Sequence, residues 1–415
     1  MNSRVSAVAA ACAAVLLTVL PAAADVAAGP SGAAFYTPPS PLPEGKRGSV
    51  IWTRPFDGTL ALPSAARNIL TLYRSTDAQG RIVPVSGTVA IPQGEAPRGG
   101  WPVISWAHGT AGGTAGGAPG CAPSRDTAGG PGHDYVTDIR VLLDGFVKTG
   151  YAVVATDYQG LGVAGVHPFL QGVSTGRNAL DIVRAAREIE PEIGKRYVVM
   201  GHSQGGQADL FAAAESASYL PDLKLVGNVA ISPPSQIASR LEAVMKSDKV
   251  EPALPYLLFM LRSYAAAYPE IDLARILSAA ARAHLPELVN GCFTAPLPKG
   301  YWATAVARDQ FVPHPDIIAV HRVAAANEPG SLRIAAPTLV VQGTADKIAP
   351  PRDTLALVRQ LCARRNVVVF AGIPGADHEE AMVAGAGLTH DWIDARFTGV
   401  SPVVNECGAL VSATD

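Results

Sequence analysis

The stretch YVVMGHSQGG, residues 197–206, decides the fold of this chain. Its first four residues are apolar without clean alternation, which is typical of a short strand buried on both faces of a parallel sheet. The string Gly201-His202-Ser203-Gln204-Gly205 follows at once and matches G-x-S-x-G, and a helical pattern begins after Gly206. A tight turn from strand to helix exposes its central serine and needs small neighbours, so we predict that Ser203 is a nucleophile.

Two other glycine strings match known motifs but lack their context. A second G-x-S-x-G string, residues 172–176, has no strand before it. We interpret Ser174 or Thr175 as the N-cap of a helix that begins at Arg177. Residues 160–165 match G-x-G-x-x-G, the pattern of a dinucleotide site, but no helix opens directly after them. We therefore predict that the chain needs no cofactor.

Apolar runs on both sides of residues 197–206 predict the rest of a sheet. A first group alternates with period two, which is typical of half-buried strands, and comprises Ser49–Thr53, Arg67–Tyr73 and Ile82–Ile91. A second group fits strands buried on both faces and comprises Val103–Trp106, Tyr151–Thr156, Leu223–Ile231, Thr338–Gln342 and Asn366–Phe370. Helical patterns lie between several runs, for example Arg177–Glu190 and Gln207–Ser216. This alternation predicts an α/β fold with a doubly wound, mostly parallel sheet and the early antiparallel strands at one edge.

One long segment, from about Pro234 to Ala326, contains no strand pattern. Its helical runs include Leu254–Tyr268 and Leu273–His284, and the first of them is apolar around much of its circumference. Such a helix must be covered on most sides or must face an apolar ligand. We predict a helical cap over residues 234–326, inserted into one sheet domain that extends over residues 25–415.

A serine hydroxyl is a weak nucleophile and needs a base, which in turn needs an acid to orient it. Asp346 follows the strand-like run Thr338–Gln342, and His378 follows the next run along the chain. The order serine, acid, histidine is that of α/β-hydrolases, so we predict a triad of Ser203, Asp346 and His378. Asp377 and His390 are the competing residues; the first adjoins His378, and the second sits in a helical pattern.

The same chemistry needs backbone N–H groups that stabilise the oxyanion of a tetrahedral intermediate. One donor is expected directly after the nucleophile, at Gln204. The other is expected on the glycine-bearing loop after the run Val103–Trp106, where Thr110 is our choice and Ala111 is the alternative.

The charge balance and the N-terminus indicate where the chain acts. Lys and Arg total 33 against 35 Asp and Glu, so nothing favours binding to nucleic acid or to an anionic membrane. An apolar run, Ala7–Leu20, is followed by small residues that fit cleavage near Ala24. We predict a signal peptide over residues 1–24 and a secreted protein, extracellular or periplasmic. The alternatives are a retained membrane anchor and a lipobox at Cys12.

Removal of the signal peptide leaves four cysteines: Cys121, Cys292, Cys362 and Cys407. An even number in an exported protein predicts two disulfides, with three possible connectivities. The alternative is a metal site, but no C-x-x-C pair or histidine cluster supports one.

Together these motifs resemble the secretory lipase family, the Candida antarctica lipase A-like α/β-hydrolases that include bacterial members. The resemblance extends from about residue 100 to 380 and is carried by His108-Gly109-Thr110, Asp157–Gly162 with His167-Pro168, Arg184–Arg187, Gly201–Gly206, Gly343–Asp346 and His378-Glu379-Glu380. It implies a Ser203–Asp346–His378 triad under a helical cap, no cofactor, and disulfides pairing Cys121 with Cys292 and Cys362 with Cys407.

We therefore expect a secreted serine esterase or lipase that hydrolyses lipophilic carboxylic esters through an acyl-enzyme, with transient contact between the cap and a lipid interface. One alternative is an exported peptidase or a polyester depolymerase with the same triad. The other is a non-catalytic relative that binds lipid. Neither metal nor nucleic acid is expected as a partner.

Overall fold

The computed structural model describes residues 26–112, 121–126, 133–292, 300–400 and 404–408. Within them nine strands form one sheet, in the spatial order β1-β2-β3-β5-β4-β6-β7-β8-β9. Their ranges are β1 (Val50–Pro55), β2 (Arg67–Thr76), β3 (Ile82–Ile91), β4 (Trp101–Ala107), β5 (Ala152–Thr156), β6 (Ile193–His202), β7 (Lys224–Ile231), β8 (Thr338–Gly343) and β9 (Val368–Ile373).

The sheet is mixed in the predicted way. The pairs β1–β2, β2–β3 and β3–β5 are antiparallel, whereas every pair from β5 to β9 is parallel. The prediction of a doubly wound, mostly parallel sheet with antiparallel strands at one edge is therefore confirmed. Because the carboxyl ends of parallel strands meet at one edge, loops after β4, β6, β8 and β9 are brought together there.

Helices cover both faces of the sheet, which explains why its central strands are mainly apolar. The helices are α1 (His133–Lys148), α2 (Gly172–Ile189), α3 (Gln204–Tyr219), α4 (Ile237–Lys246), α5 (Leu254–Ala267), α6 (Ala279–Val289), α7 (Ile318–Ala326), α8 (Pro351–Ala363), α9 (Glu380–Ala384) and α10 (Ala386–Thr398). In β6, Val198 and Met200 pack in one core with α1, α9 and α10, while Tyr197 and Val199 pack in the opposite core with α2, α3 and α8. Successive side chains on a strand point to opposite faces, so both faces must be apolar.

Two predicted helix boundaries were wrong. The helix expected to begin at Arg177 begins at Gly172, so Ser174 and Thr175 lie in its first turn and do not cap it. The run Leu273–His284 is not one helix: Leu273–Arg275 forms a short 3-10 turn, and α6 begins at Ala279. Ser278 caps α6, because its Oγ accepts the backbone N–H of Ala281 at 3.2 Å.

The chain between β7 and β8 carries α4 to α7, and its described residues contain no strand of the sheet. These helices bury a core of their own, in which Leu258, Phe259, Met260, Leu261 and Tyr264 of α5 are each at most 1% exposed. The apolar circumference of α5 is thus covered by neighbouring helices. Phe169 and Leu170, which precede α2, belong to the same core.

Two disulfides join distant parts of the chain. Cys121 pairs with Cys292 across a Cα–Cα distance of 4.9 Å, and Cys362 pairs with Cys407 across 5.3 Å. The first connects the segment after β4 to the segment after α6. The predicted signal peptide, residues 1–24, lies outside the described residues. No helix within the described part of the chain is long and apolar enough to cross a membrane.

Candidate active site

Ser203 occupies a sharp turn between β6 and α3. Its backbone lies at φ 55° and ψ −120°, a conformation that costs a residue with a side chain about 1–3 kcal/mol. The turn has no room for a side chain at either flanking glycine. A Cβ at Gly201 would overlap the carbonyl of Gly205, and a Cβ at Gly205 would overlap the carbonyl of Ala107. The backbone N–H of Ser203 also donates to the Ile231 carbonyl at 2.8 Å. The two glycines of the sequence motif are therefore steric requirements of this turn.

The structure brings the three predicted triad residues into contact. The Nε2 atom of His378 lies 2.8 Å from the Oγ of Ser203, and its Nδ1 atom lies 2.7 Å from the Oδ2 of Asp346. Ser203 and His378 are 8% and 9% exposed, so both side chains are largely buried. This geometry gives the serine hydroxyl an acceptor for its proton and gives that acceptor an orienting carboxylate.

Asp346 lies in a pocket built for a carboxylate. Its Oδ1 accepts the backbone N–H groups of Ile348 and Ala349, each at 2.8 Å. Its Oδ2 accepts the Gln342 side-chain amide at 3.1 Å in addition to the imidazole. Burial by itself raises the pKa of the Asp346 carboxyl, but the hydrogen bond and charge of His378 and the two backbone donors bring the pKa below its ordinary value. The residue is therefore charged at neutral pH.

The two competing residues, Asp377 and His390, make contacts outside the triad. Asp377 accepts the backbone N–H groups of Glu379 and Glu380 at 3.1 and 2.9 Å, which shapes the turn before α9. His390 lies on α10, where its Nε2 contacts the Thr149 hydroxyl at 2.8 Å. Neither side chain contacts Ser203 or Asp346 in the described residues.

The two predicted oxyanion donors flank the serine. Thr110 and Gln204 line the same cavity as Ser203 and His378, whereas Ala111 does not line it. Within the described residues, neither the backbone N–H of Thr110 nor that of Gln204 donates a hydrogen bond. Both residues therefore lie beside the serine, where oxyanion donors are expected.

A cavity opens beside Ser203. Its wall opposite the triad comes mainly from the helical segment between β7 and β8 and is largely apolar; the lining includes Phe169, Leu170, Pro234, Ile237, Ala253, Tyr256 and Leu257. Arg240 also lines it, but its guanidinium pairs with Asp353 at 3.0 Å. A balanced charge and apolar walls suit a hydrocarbon chain better than a peptide or a phosphate.

His167 supports Gln204, a contact that the residue pattern did not predict. The Nδ1–H of His167 donates to the Gln159 carbonyl at 2.9 Å, and its Nε2 accepts the Gln204 side-chain amide at 2.6 Å. Burial lowers the pKa of His167 to about 4, so the ring is neutral at neutral pH and able to accept. The only signal in the sequence was the family resemblance of the stretch around His167-Pro168.

Comparisons with known proteins agree with this architecture. The model of the secretory lipase family matches residues 136–405, well over half of the chain. Lipase 6 of Candida albicans is 26% identical over 286 residues, which cover 65% of this chain and 60% of the length of Lipase 6. A Mycobacterium tuberculosis protein named probable inactive lipase is 26% identical over 387 residues, covering 89% of this chain and 83% of that protein. Among solved structures, Candida antarctica lipase A is similar with a TM-score of 0.73 and 21% identity, covering 90% of this chain and 87% of that one.

Proposed function

The chain belongs to the secretory lipase family, and from this premise we propose that it is a serine esterase or lipase that hydrolyses lipophilic carboxylic esters. The observation that carries the proposal is the contact of His378 with both Ser203, at 2.8 Å, and Asp346, at 2.7 Å. The apolar cavity beside Ser203 supports an acyl group as the substrate part that is bound.

In the proposed first step, the Oγ of Ser203 attacks the ester carbonyl carbon while His378 takes its proton. The carbonyl oxygen becomes an oxyanion and accepts hydrogen bonds from the backbone N–H groups of Thr110 and Gln204. Asp346 stabilises the protonated ring of His378. As the bond from carbon to the alcohol oxygen breaks, His378 gives its proton to the leaving alcohol, and an acyl-enzyme remains.

In the second step, water attacks the acyl-enzyme and His378 takes a proton from it. The same two backbone donors stabilise the second oxyanion. Collapse of this intermediate returns the proton to the Oγ of Ser203 and releases the carboxylic acid. No external oxidant, reductant or cofactor enters either step.

We further propose that the helical segment over residues 234–326 is a cap over the site and contacts lipid interfaces transiently. Support for the cap comes from its share of the apolar cavity wall beside Ser203. Secretion, with cleavage near Ala24, is supported by the two disulfides, because such bonds persist in oxidising compartments. The proposed contact with lipid interfaces is tested by comparing the rate of hydrolysis of one ester below and above its solubility limit.

The test of the function compares wild type with Ser203→Ala on p-nitrophenyl esters. We expect steady hydrolysis by wild type and loss of nearly all of it in the variant, because no other described residue occupies the position of the nucleophile. Hydrolysis that survives Ser203→Ala would refute the assignment.

A lipid carrier is the rival from another class, and it is relevant because a relative is named a probable inactive lipase. A carrier would bind the ester without turnover. Peptides and polyesters serve as competing substrates in the same assay, and a preference for either would replace the acyl-ester proposal.

A further inference from the structure

Two side chains in contact, the partly buried Tyr135 on α1 and the buried His202 at the end of β6, lie beside the triad and have no step in the mechanism above. His202 is 2% exposed and immediately precedes Ser203. Its Nδ1 lies 2.9 Å from the hydroxyl of Tyr135, and its Nε2 lies 2.9 Å from the backbone carbonyl of His378. The Tyr135 hydroxyl is also 2.7 Å from the backbone nitrogen of Gly109.

The backbone N–H of Gly109 at one end and the backbone carbonyl of His378 at the other determine which atom donates in each of these hydrogen bonds. The Gly109 N–H can only donate, so the oxygen of Tyr135 accepts it and the hydroxyl hydrogen goes to the Nδ1 of His202. The carbonyl of His378 can only accept, so the Nε2 of His202 carries the ring hydrogen. His202 is thus neutral in a single tautomer. Burial, followed by the nearby charge of His378, lowers the pKa of His202 to about 3, in agreement with this assignment.

The three contacts join the three backbone segments that carry the reaction. Gly109 directly precedes Thr110, His202 directly precedes Ser203, and the third contact is to the peptide of His378 itself. A Cβ at Gly109 would overlap the Tyr135 hydroxyl and would lie 3.1 Å from the Nδ1 of His202. The absence of a side chain at Gly109 therefore leaves room for the Tyr135 hydroxyl to lie against its backbone N–H.

We propose that Tyr135 and His202 are positioning residues, whose hydrogen bonds set the distance of the Thr110 loop and the His378 loop from Ser203. The proposal rests on the proposed function, since it concerns the placement of the same triad and oxyanion donors. Neither side chain hydrogen-bonds to the reacting atoms, and the ring of His202 packs against the ring of His378 with 4.8 Å between their centroids. Their effect belongs to the transition state, because a small displacement of a donor or a base changes the rate far more than it changes ester binding.

The test uses variants that keep the shape and remove the contacts. Tyr135→Phe removes the hydroxyl, and His202→Phe keeps a ring while removing both nitrogens. His202→Gln restores an amide that is able to donate to the His378 carbonyl. For a soluble p-nitrophenyl ester we expect kcat to fall about 10-fold in Tyr135→Phe and about 100-fold in His202→Phe, with KM within about twofold. We expect His202→Gln to recover about 10-fold of the kcat lost in His202→Phe.

The control is Tyr197→Phe, which removes a buried tyrosine hydroxyl that lies 2.6 Å from the Oγ of Ser216 and on the same strand as His202. This variant should lose comparable thermal stability and keep the kcat of wild type. Rates are expressed per active site, titrated to completion with a fluorophosphonate, so that misfolded protein does not count as lost kcat. His202→Gln and Tyr135→Phe carry the test on their own where His202→Phe does not fold.

Unchanged kcat in Tyr135→Phe overturns the proposal, and so does an equal loss of kcat in Tyr135→Phe and Tyr197→Phe, which would show a general effect of stability. Failure of the proposed function looks different. In that case wild type itself shows no turnover that depends on Ser203, whereas failure of the positioning proposal leaves that turnover intact.

Discussion

The most informative substitution is Asp346→Asn, because the structure determines how the new amide would lie. Two backbone N–H groups, from Ile348 and Ala349, point at Oδ1 at 2.8 Å each and can only donate. They select the amide oxygen for that position, which leaves the amide nitrogen facing the Nδ1 of His378. His378 would then have to accept at Nδ1 and carry its hydrogen on Nε2, facing the Ser203 hydroxyl.

That tautomer cannot take the serine proton, so the enzyme keeps its geometry and loses its base. The same change in a Ser-His-Asp triad on an unrelated fold lowers kcat about 10⁴-fold, and we expect the same order here. The loss corresponds to about 5.4 kcal/mol of transition-state stabilisation. The side-chain amide of Gln342 donates to Oδ2 of Asp346 at 3.1 Å, and in the variant it would face the new amide nitrogen, which is also a donor. We therefore expect a lower melting temperature.

The assay is kcat for a p-nitrophenyl ester at neutral pH, measured on protein whose fold is checked by circular dichroism. The matched control is Asp377→Asn, which changes the exposed carboxylate directly before His378 and should keep kcat within about twofold. If Asp346→Asn retains kcat within tenfold of wild type, the two backbone donors do not orient the new amide in the way described.

Three further predictions concern the cavity, acid stability and the turn. Leu257→Trp narrows the cavity, so kcat/KM should fall at least about tenfold for p-nitrophenyl octanoate and stay within about twofold for p-nitrophenyl acetate. An equal fall for both esters would contradict the assignment of the cavity to the acyl chain. Since the pKa of Asp346 is lowered by folding, its stabilising contribution is complete above the unfolded-state pKa of about 3.9 and is lost as pH falls through the lower folded value. The difference in unfolding free energy between wild type and Asp346→Asn, followed by urea titration, should therefore shrink below about pH 4, and a difference that grows there would be inconsistent with that shift. Gly205→Ala should destabilise the protein by about 3 kcal/mol, because the new Cβ meets the Ala107 carbonyl, and a melting temperature equal to that of wild type would show that the turn is not tight.

The sheet could be predicted from sequence because each strand has a local cause. Tyr197–Met200 is apolar on both faces, and the structure packs Val198 and Val199 into opposite cores. Ser203, Asp346 and His378 could be predicted for a related reason: each follows a predicted strand, and the ends of parallel strands converge. The family resemblance added the disulfide pairing, which the spacing of the four cysteines leaves open.

The start of α2 could not be predicted, because a contact from far along the chain determines it. Ser174 is a good N-cap by local chemistry. In the structure, the first N–H of the helix, at Gly172, donates to the Asn327 side chain at 2.8 Å, and this bond allows an earlier start. No local pattern at residues 172–176 reports on Asn327.

The contact of Tyr135 with His202 escaped prediction for the same reason. The two residues are 67 positions apart, and neither belongs to a periodic pattern that calls for the other. His202 did lie inside the G-x-S-x-G string, but the motif constrains only the glycines and the serine. The packing of α1 against the end of β6 determines which polar atoms meet there.

Covalent labelling shows whether Ser203 is the nucleophile of a working triad. The purified protein is treated with a fluorophosphonate, and the modified residue is located by peptide mass spectrometry. We expect one adduct on Ser203, in step with loss of ester hydrolysis, and no adduct in the Asp346→Asn variant on the same time scale. An adduct on another serine such as Ser174, or a wild type that hydrolyses esters without being labelled at Ser203, would contradict it.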